Sequence, residues 1–207
     1  MKTKIFLLLF ILGIMDISCK KDEKQQNDYF PNNIGYQWIY RWTNNNLGTI
    51  KVEIVSQGIL PNGVNAKIWK YTYKNTSQTY IDTVWVSYIN SDVRFYDNPC
   101  RTCSNQMPFE RLHYILPLNI GKSWSTNAPY GDTTKVLNQE SVSVPMGIFT
   151  DVFRLSKVRG YATNSWTNDT IYFKEQIGLI KLNQNEFNLG PVIGNGVWEL
   201  ISYNFRQ

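Results

Sequence analysis

An internal repeat constrains this chain more than any other feature of its sequence. Pro31-Asn32-Asn33-Ile34-Gly35-Tyr36-Gln37-Trp38 returns as Pro117-Leu118-Asn119-Ile120-Gly121-Lys122-Ser123-Trp124, sharing Pro, Asn, Ile, Gly and Trp at an offset of 86. Pro61-Asn62-Gly63-Val64 followed by Ile68-Trp69-Lys70 mirrors Pro145-Met146-Gly147-Ile148 followed by Val152-Phe153-Arg154 at an offset of 84. Asp82-Thr83-Val84-Trp85-Val86 pairs with Asp169-Thr170-Ile171-Tyr172-Phe173 at 87, and Val93-Arg94-Phe95 with Ile180-Lys181-Leu182 at the same 87. Matches in one order at a nearly constant offset predict that residues 29–113 and 114–207 are two copies of one unit. Each half would expose an apolar face that the other covers.

The unit is made of strands. In Lys67-Ile68-Trp69-Lys70-Tyr71-Thr72-Tyr73, period-two alternation places Trp69, Tyr71 and Tyr73 on one face and Lys70 and Thr72 on the other. The same reading of residues 197–205 puts Val197, Ile201, Tyr203 and Phe205 together. Comparable runs lie near 36–43, 48–57, 79–89, 109–115, 134–144, 148–158, 168–175 and 178–183. Asn62-Gly63 and Asn195-Gly196 offer the positive φ of hairpin turns. Beyond the first residues no stretch keeps a 3.6-residue apolar period. The fold class expected is all-β, as an antiparallel sandwich or a strongly curved sheet built from two similar halves.

The N-terminal residues read as an address. Lys2 and Lys4 precede an apolar run from Ile5 to Met15, then Ile17-Ser18-Cys19. This is the grammar of a secretory signal, and the run is shorter than the roughly 20 residues of a membrane span. Cys19 stands where a lipobox places its lipidated cysteine, although Asp16 departs from the usual Leu. Residues 1–19 are therefore expected to be a lipoprotein signal with its anchor, 20–28 a disordered tether, and 29–207 a single β domain. The tether, Lys20-Lys21-Asp22-Glu23-Lys24-Gln25-Gln26-Asn27-Asp28, has nothing to bury. Its first residues resemble the surface-export tether of Bacteroidota lipoproteins, which implies the outer membrane and exposure at the cell surface. The net charge of the whole chain is +5; the leader carries two Lys and one Asp, leaving +4 spread without a basic cluster. Nucleic acid is not an expected partner.

Four segments carry a broader resemblance: Tyr29 to Tyr40, Leu116 to Trp124, Val142 to Phe149, and Tyr172 to Lys181. In that order they resemble a group of uncharacterised Bacteroidota lipoproteins with "PLxVGNxWxY", "LPxGxSW", "VPAGTF" and "APGVGLVK" signatures. The chain departs from the pattern at Met146, Ile148 and Glu175-Gln176. The resemblance implies an extracytoplasmic β-fold and carries over no activity.

Chemistry is sparse. Cys100-Arg101-Thr102-Cys103 has the spacing of a redox pair, half a zinc site or a local disulfide. A disulfide closing a loop outside the cytoplasm is the plainest of these. His113 is the only histidine, and Glu110, three positions earlier on a strand, should face the opposite side. Hydrolase, metalloprotease and phosphate-loop motifs are absent, so no catalytic residue, metal ligand or cofactor is assigned. A hydrolase site assembled from distant strands stays open as an alternative. Three Asp-Thr motifs, at Asp82, Asp132 and Asp169, resemble acceptors of O-glycosylation in Bacteroidota. The chain holds 7 Trp, 13 Tyr and 10 Phe, most of which should fill a core; Trp38 and Trp124, at equivalent repeat positions, are candidates to flank a pocket. The expected role is a lipid-anchored envelope protein that binds a protein, glycan or lipid ligand or supports an assembly without catalysis. The alternative is a carrier of a hydrophobic ligand held between the halves.

Overall fold

The structure is a computed structural model that describes residues 29–43, 47–99, 106–125, 132–162, 165–187 and 196–205. Cys19, the tether and the Cys100/Cys103 pair lie outside the described residues. Among those described, the regular elements are all strands: β1 (Gln37–Thr43), β2 (Leu47–Ile59), β3 (Asn65–Lys74), β4 (Thr79–Ile89), β5 (Asp92–Tyr96), β6 (Glu110–Ile115), β7 (Ser123–Trp124), β8 (Asp132–Val144), β9 (Gly147–Ala162), β10 (Ser165–Lys174), β11 (Gly178–Gln184), β12 (Glu186–Phe187) and β13 (Gly196–Asn204).

They build one antiparallel sheet in the order β6-β5-β4-β3-β2-β1-β13-β11-β10-β9-β8-β7, with β12 added beside β10. Of the two forms left open by the sequence, the sheet takes the curved one. It rolls until its edge strands meet: the Trp124 indole on β7 donates to the His113 carbonyl on β6 at 2.9 Å. Tyr114 and Phe173, from β6 and β10, touch edge to face across the interior at 5.2 Å. The two halves thus lie in sequence around a nearly closed ring, joined by the β1–β13 ladder on one side and meeting at the β6/β7 seam on the other.

The glycine turns before β1 and β7 share one hydrogen-bond circuit. Gly35 N–H donates to the Ile54 carbonyl, Ile54 N–H to Tyr36, and Tyr36 N–H to Asn33, at 2.8, 2.9 and 3.1 Å. Gly121, Val136 and Lys122 repeat it, to the carbonyls of Val136, Lys122 and Asn119, at 2.9, 2.9 and 3.0 Å. Both glycines sit at positive φ, +93° and +85°, where a Cβ is disfavoured and glycine is at ease.

Two irregularities overturn expected faces. Between β1 and β13 the register slips so that Ile39 faces Ser202 while Tyr40 faces Leu200. Ile201 is the extra residue of a β-bulge, which resets the alternation. Trp198 and Leu200 therefore join Tyr203 and Phe205 against the core, and Ile201 turns to solvent, correcting the grouping of Val197 and Ile201 with the last two. Asn195-Gly196 also differs from expectation. Gly196 opens β13, and a Cβ there would lie 2.6 Å from the Trp42 indole nitrogen, so its small size serves a close approach; Asn195 is outside the described residues. On β3 the expected face is observed, with Trp69, Tyr71 and Tyr73 all turned inward.

The segment before β1 closes one end of the ring. Phe30 is buried against Phe95, Tyr114 and Phe173, at 5.8, 5.0 and 4.9 Å between centroids, so one ring bridges opposite walls. Its carbonyl accepts the Tyr88 hydroxyl at 2.9 Å, and Tyr29 packs edge-on to Phe153. Tyr29, Phe30 and Trp38 form the floor of the interior.

Candidate functional site

Above this floor the ring stays hollow. A cavity of about 560 Å³ runs up its axis, inside the 300–1,000 Å³ range typical of small-ligand pockets. Its lower wall is aromatic and aliphatic: Trp38 stacks on Trp69 at 5.2 Å, with Tyr40, Val52, Tyr71 and Val84 around them. The phenol of Tyr40 donates to the Leu179 carbonyl at 3.0 Å and the Trp38 indole to that of Ile177 at 2.7 Å. Their polar atoms are thus spent on the wall, leaving apolar faces to the space. Burial raises the Tyr71 and Tyr114 hydroxyls well above the ordinary tyrosine range, so the lining is uncharged there at any physiological pH.

The upper wall is charged. Strand directions place Tyr73, Asp82, Asp97, Phe109 and Arg111 toward the end opposite the floor, and the exposed Phe109 marks the mouth. Arg111 pairs with both Asp82 and Asp97. Deeper, Lys157 and Arg159 of β9 enter from one side. Lys157 is flanked across its strand by Thr134 and Asp169, and Arg159 reaches the buried Asp132 at 3.4 Å. Lys157 Nζ lies 4.0 Å from the same carboxylate and 5.9 Å from the centre of the Tyr114 ring. Burial, then the adjacent guanidinium of Arg159, pushes the Lys157 ammonium down to about 8.

The residues singled out in the sequence are distributed unevenly over this geometry. Trp38 lines the cavity, whereas Trp124 is not in the lining and seals the β6/β7 seam. His113 lies on the outer side of β6, away from the cavity, with Nε2 3.3 Å from Asp92 Oδ2 and Nδ1 4.0 Å from Glu110 Oε1. Glu110 and His113 do share a face, contrary to expectation. The register shift that sets Phe95 opposite Leu112 but Tyr96 opposite Glu110 makes Arg111 a bulge, and three positions then span two. Arg94 ties the same Asp92 and Glu110, at 2.8 and 3.2 Å, so the carboxylates are held in ion pairs. The three Asp-Thr motifs fall in β4, β8 and β10 with their acids turned inward: Asp82 and Asp169 line the cavity, and Asp132 is buried. Among the described residues no group of three or more His, Cys, Asp or Glu is placed to hold a metal ion, and no helix is long and apolar enough to cross a membrane.

Sequence reasoning missed Lys157, Arg159, Arg111 and Phe30. A signal was present for the first two: on β9 they share parity with Phe153 and Leu155, so strict alternation puts two cations on the apolar row. No such signal marks Arg111, whose inward turn depends on the bulge.

No family model and no curated protein matches the chain. Solved structures do. A proposed lipoprotein from Parabacteroides distasonis superposes with a TM-score of 0.51 at 14% identity, over 86% of this chain and 98% of that one. A proposed exported protein with a YmcC-like fold, from Bacteroides fragilis, gives 0.55 at 12% identity, over 86% of this chain and 99% of that one. At such identities the likeness is one of fold, and the chain shares its curved antiparallel sheet with these two proteins.

Proposed function

We propose that this protein is a lipid-anchored component of the bacterial cell envelope that carries a small hydrophobic ligand inside its curved sheet. The observation that carries the reading is the cavity: about 560 Å³, floored by Phe30 and Trp38, walled by stacked aromatics and open at the opposite end. A protein serving only as a scaffold gains nothing from leaving such a volume unfilled, because close packing of the same side chains would stabilise it. The envelope address is supported by the leader and Cys19, and by the proposed lipoprotein and exported protein that share the fold. Attachment to the outer membrane, facing outward, is supported by the Cys-Lys-Lys-Asp-Glu start of the tether. The matching glycine circuits and the sequential order of the halves around the ring support duplication of one six-stranded unit.

Native mass spectrometry of the mature domain, with Cys19 replaced and purification kept gentle, should show a co-purifying mass in the range of a lipid. A clean apo mass, together with failure to take up an apolar fluorescent probe, would remove the carrier reading. The anchor is tested separately. Cells expressing the full chain should incorporate labelled palmitate into it, and Cys19→Ala should abolish the label; a labelled Cys19→Ala variant would overturn lipidation at that residue.

A further inference from the structure

We propose that Lys157 is the counter-ion for a ligand carboxylate, so that the cavity takes an amphiphile with an apolar body and a carboxylate head, of the chemical class of a long-chain fatty acid. The inference rests on the carrier reading and adds the chemistry of the head.

Lys157 is 2% exposed, yet it lies on the inward row of β9 and lines the cavity. Its Nζ makes no hydrogen bond to the described residues. The carboxylate of Asp132, 4.0 Å away, is beyond hydrogen-bond reach and is shared with Arg159 at 3.4 Å. The Tyr114 ring attracts the charge from 5.9 Å. An ammonium withdrawn from water in this way is costly unless acceptors are brought to it. A ligand carboxylate brings two acceptor oxygens to the unbonded Nζ, and charge-assisted hydrogen bonds are the strong kind.

The neighbourhood also limits the charge of the ligand. Asp132 and Asp169 already stand across the strand from Arg159 and Lys157, two charges against two, so a dianionic phosphate would leave twice the excess negative charge that a monoanionic carboxylate leaves, and the smaller charge is the less costly head. Lys157 stands beside Tyr114, which packs on Phe30 of the floor, so a head held there leaves its apolar body to lie along the aromatic wall of Tyr71, Trp69 and Trp38.

The test uses the mature protein and the quenching of its cavity tryptophans. Palmitate and hexadecanol share a chain and differ in the head. The parent should bind palmitate at least ten-fold more tightly than hexadecanol. Lys157→Met should abolish the preference for palmitate over hexadecanol, and Lys157→Gln should do the same, guarding against misfolding of either variant. Equal binding of the two probes by the parent, or a preference that survives both substitutions, overturns the carboxylate assignment and leaves the carrier reading in place. Binding of neither probe by the parent overturns both.

Discussion

Phe30→Ala should destabilise the protein by about 3–5 kcal/mol, which for a domain of this size lowers the melting temperature by roughly 10 °C. The ring of Phe30 is 4% exposed and touches Phe95, Tyr114 and Phe173 from opposite walls. Those walls are held apart by continuous hydrogen-bonded ladders, so they cannot collapse onto the space an alanine would leave. The cost therefore lies toward the upper end of the range, as it does wherever a site relaxes poorly. Ile148→Ala is the matched control: this side chain is 76% exposed, and its loss should change stability by less than about 0.5 kcal/mol. Urea denaturation of the three proteins decides the matter. A change below about 1 kcal/mol for Phe30→Ala would mean that the floor is not a structural part of the ring.

The second large effect has the opposite sign. In the ligand-free protein Lys157→Met should increase stability at pH 7 by about 2–3 kcal/mol, because a buried ammonium without a hydrogen bond is costly and its lowered pKa measures that cost. The dependence on pH comes from the shift. Folding lowers the Lys157 ammonium from 10.5 to about 8, through burial and the Arg159 guanidinium, against the opposing pull of Asp132 on β8, Asp169 on β10 and Glu110 on β6. Between these values the unfolded chain holds a proton that the folded one has released, so stability rises with pH across that window. Below pH 8 both states are protonated, and the folded state bears the full burial penalty. The advantage of the Met variant over its parent should thus be greatest at pH 6–7 and fade toward pH 10.5. Paired urea titrations at pH 6.5 and 9.5 measure it. A loss of 3–5 kcal/mol in the variant would instead identify Lys157 as the required partner of a buried carboxylate.

Most of the architecture was legible because strands advertise themselves by alternation. Trp69, Tyr71 and Tyr73 could be placed on one face from their spacing alone, and the observed β3 carries them inward. A turn was legible at Asn62-Gly63, whose glycine holds the positive φ expected of it. Bulges were not. Nothing in the local composition around Ile201 or Arg111 signals an extra residue, because a bulge is decided by how a partner strand pairs. Each one flipped the parity of its strand, and with it the side of the sheet on which Glu110 or Ile201 lies. The cavity was hidden for a different reason. Hollow space is a property of walls brought together from β1, β3, β6, β9 and β10, and a lysine on an apolar row is ordinarily read as a solvated neighbour rather than as a group facing into the ring.

The floor made by Tyr29 and Phe30 has a consequence for the polarity of the molecule. The chain enters the described fold at that end, and Phe205, stacked on Tyr36 at 4.7 Å, leaves it there too, while Phe109 and Arg111 mark the other pole. Under the carrier proposal, attachment and exchange therefore fall at opposite poles. Whatever fastens the protein by either terminus leaves its doorway clear, and a cargo would change hands on the side turned away from the point of attachment.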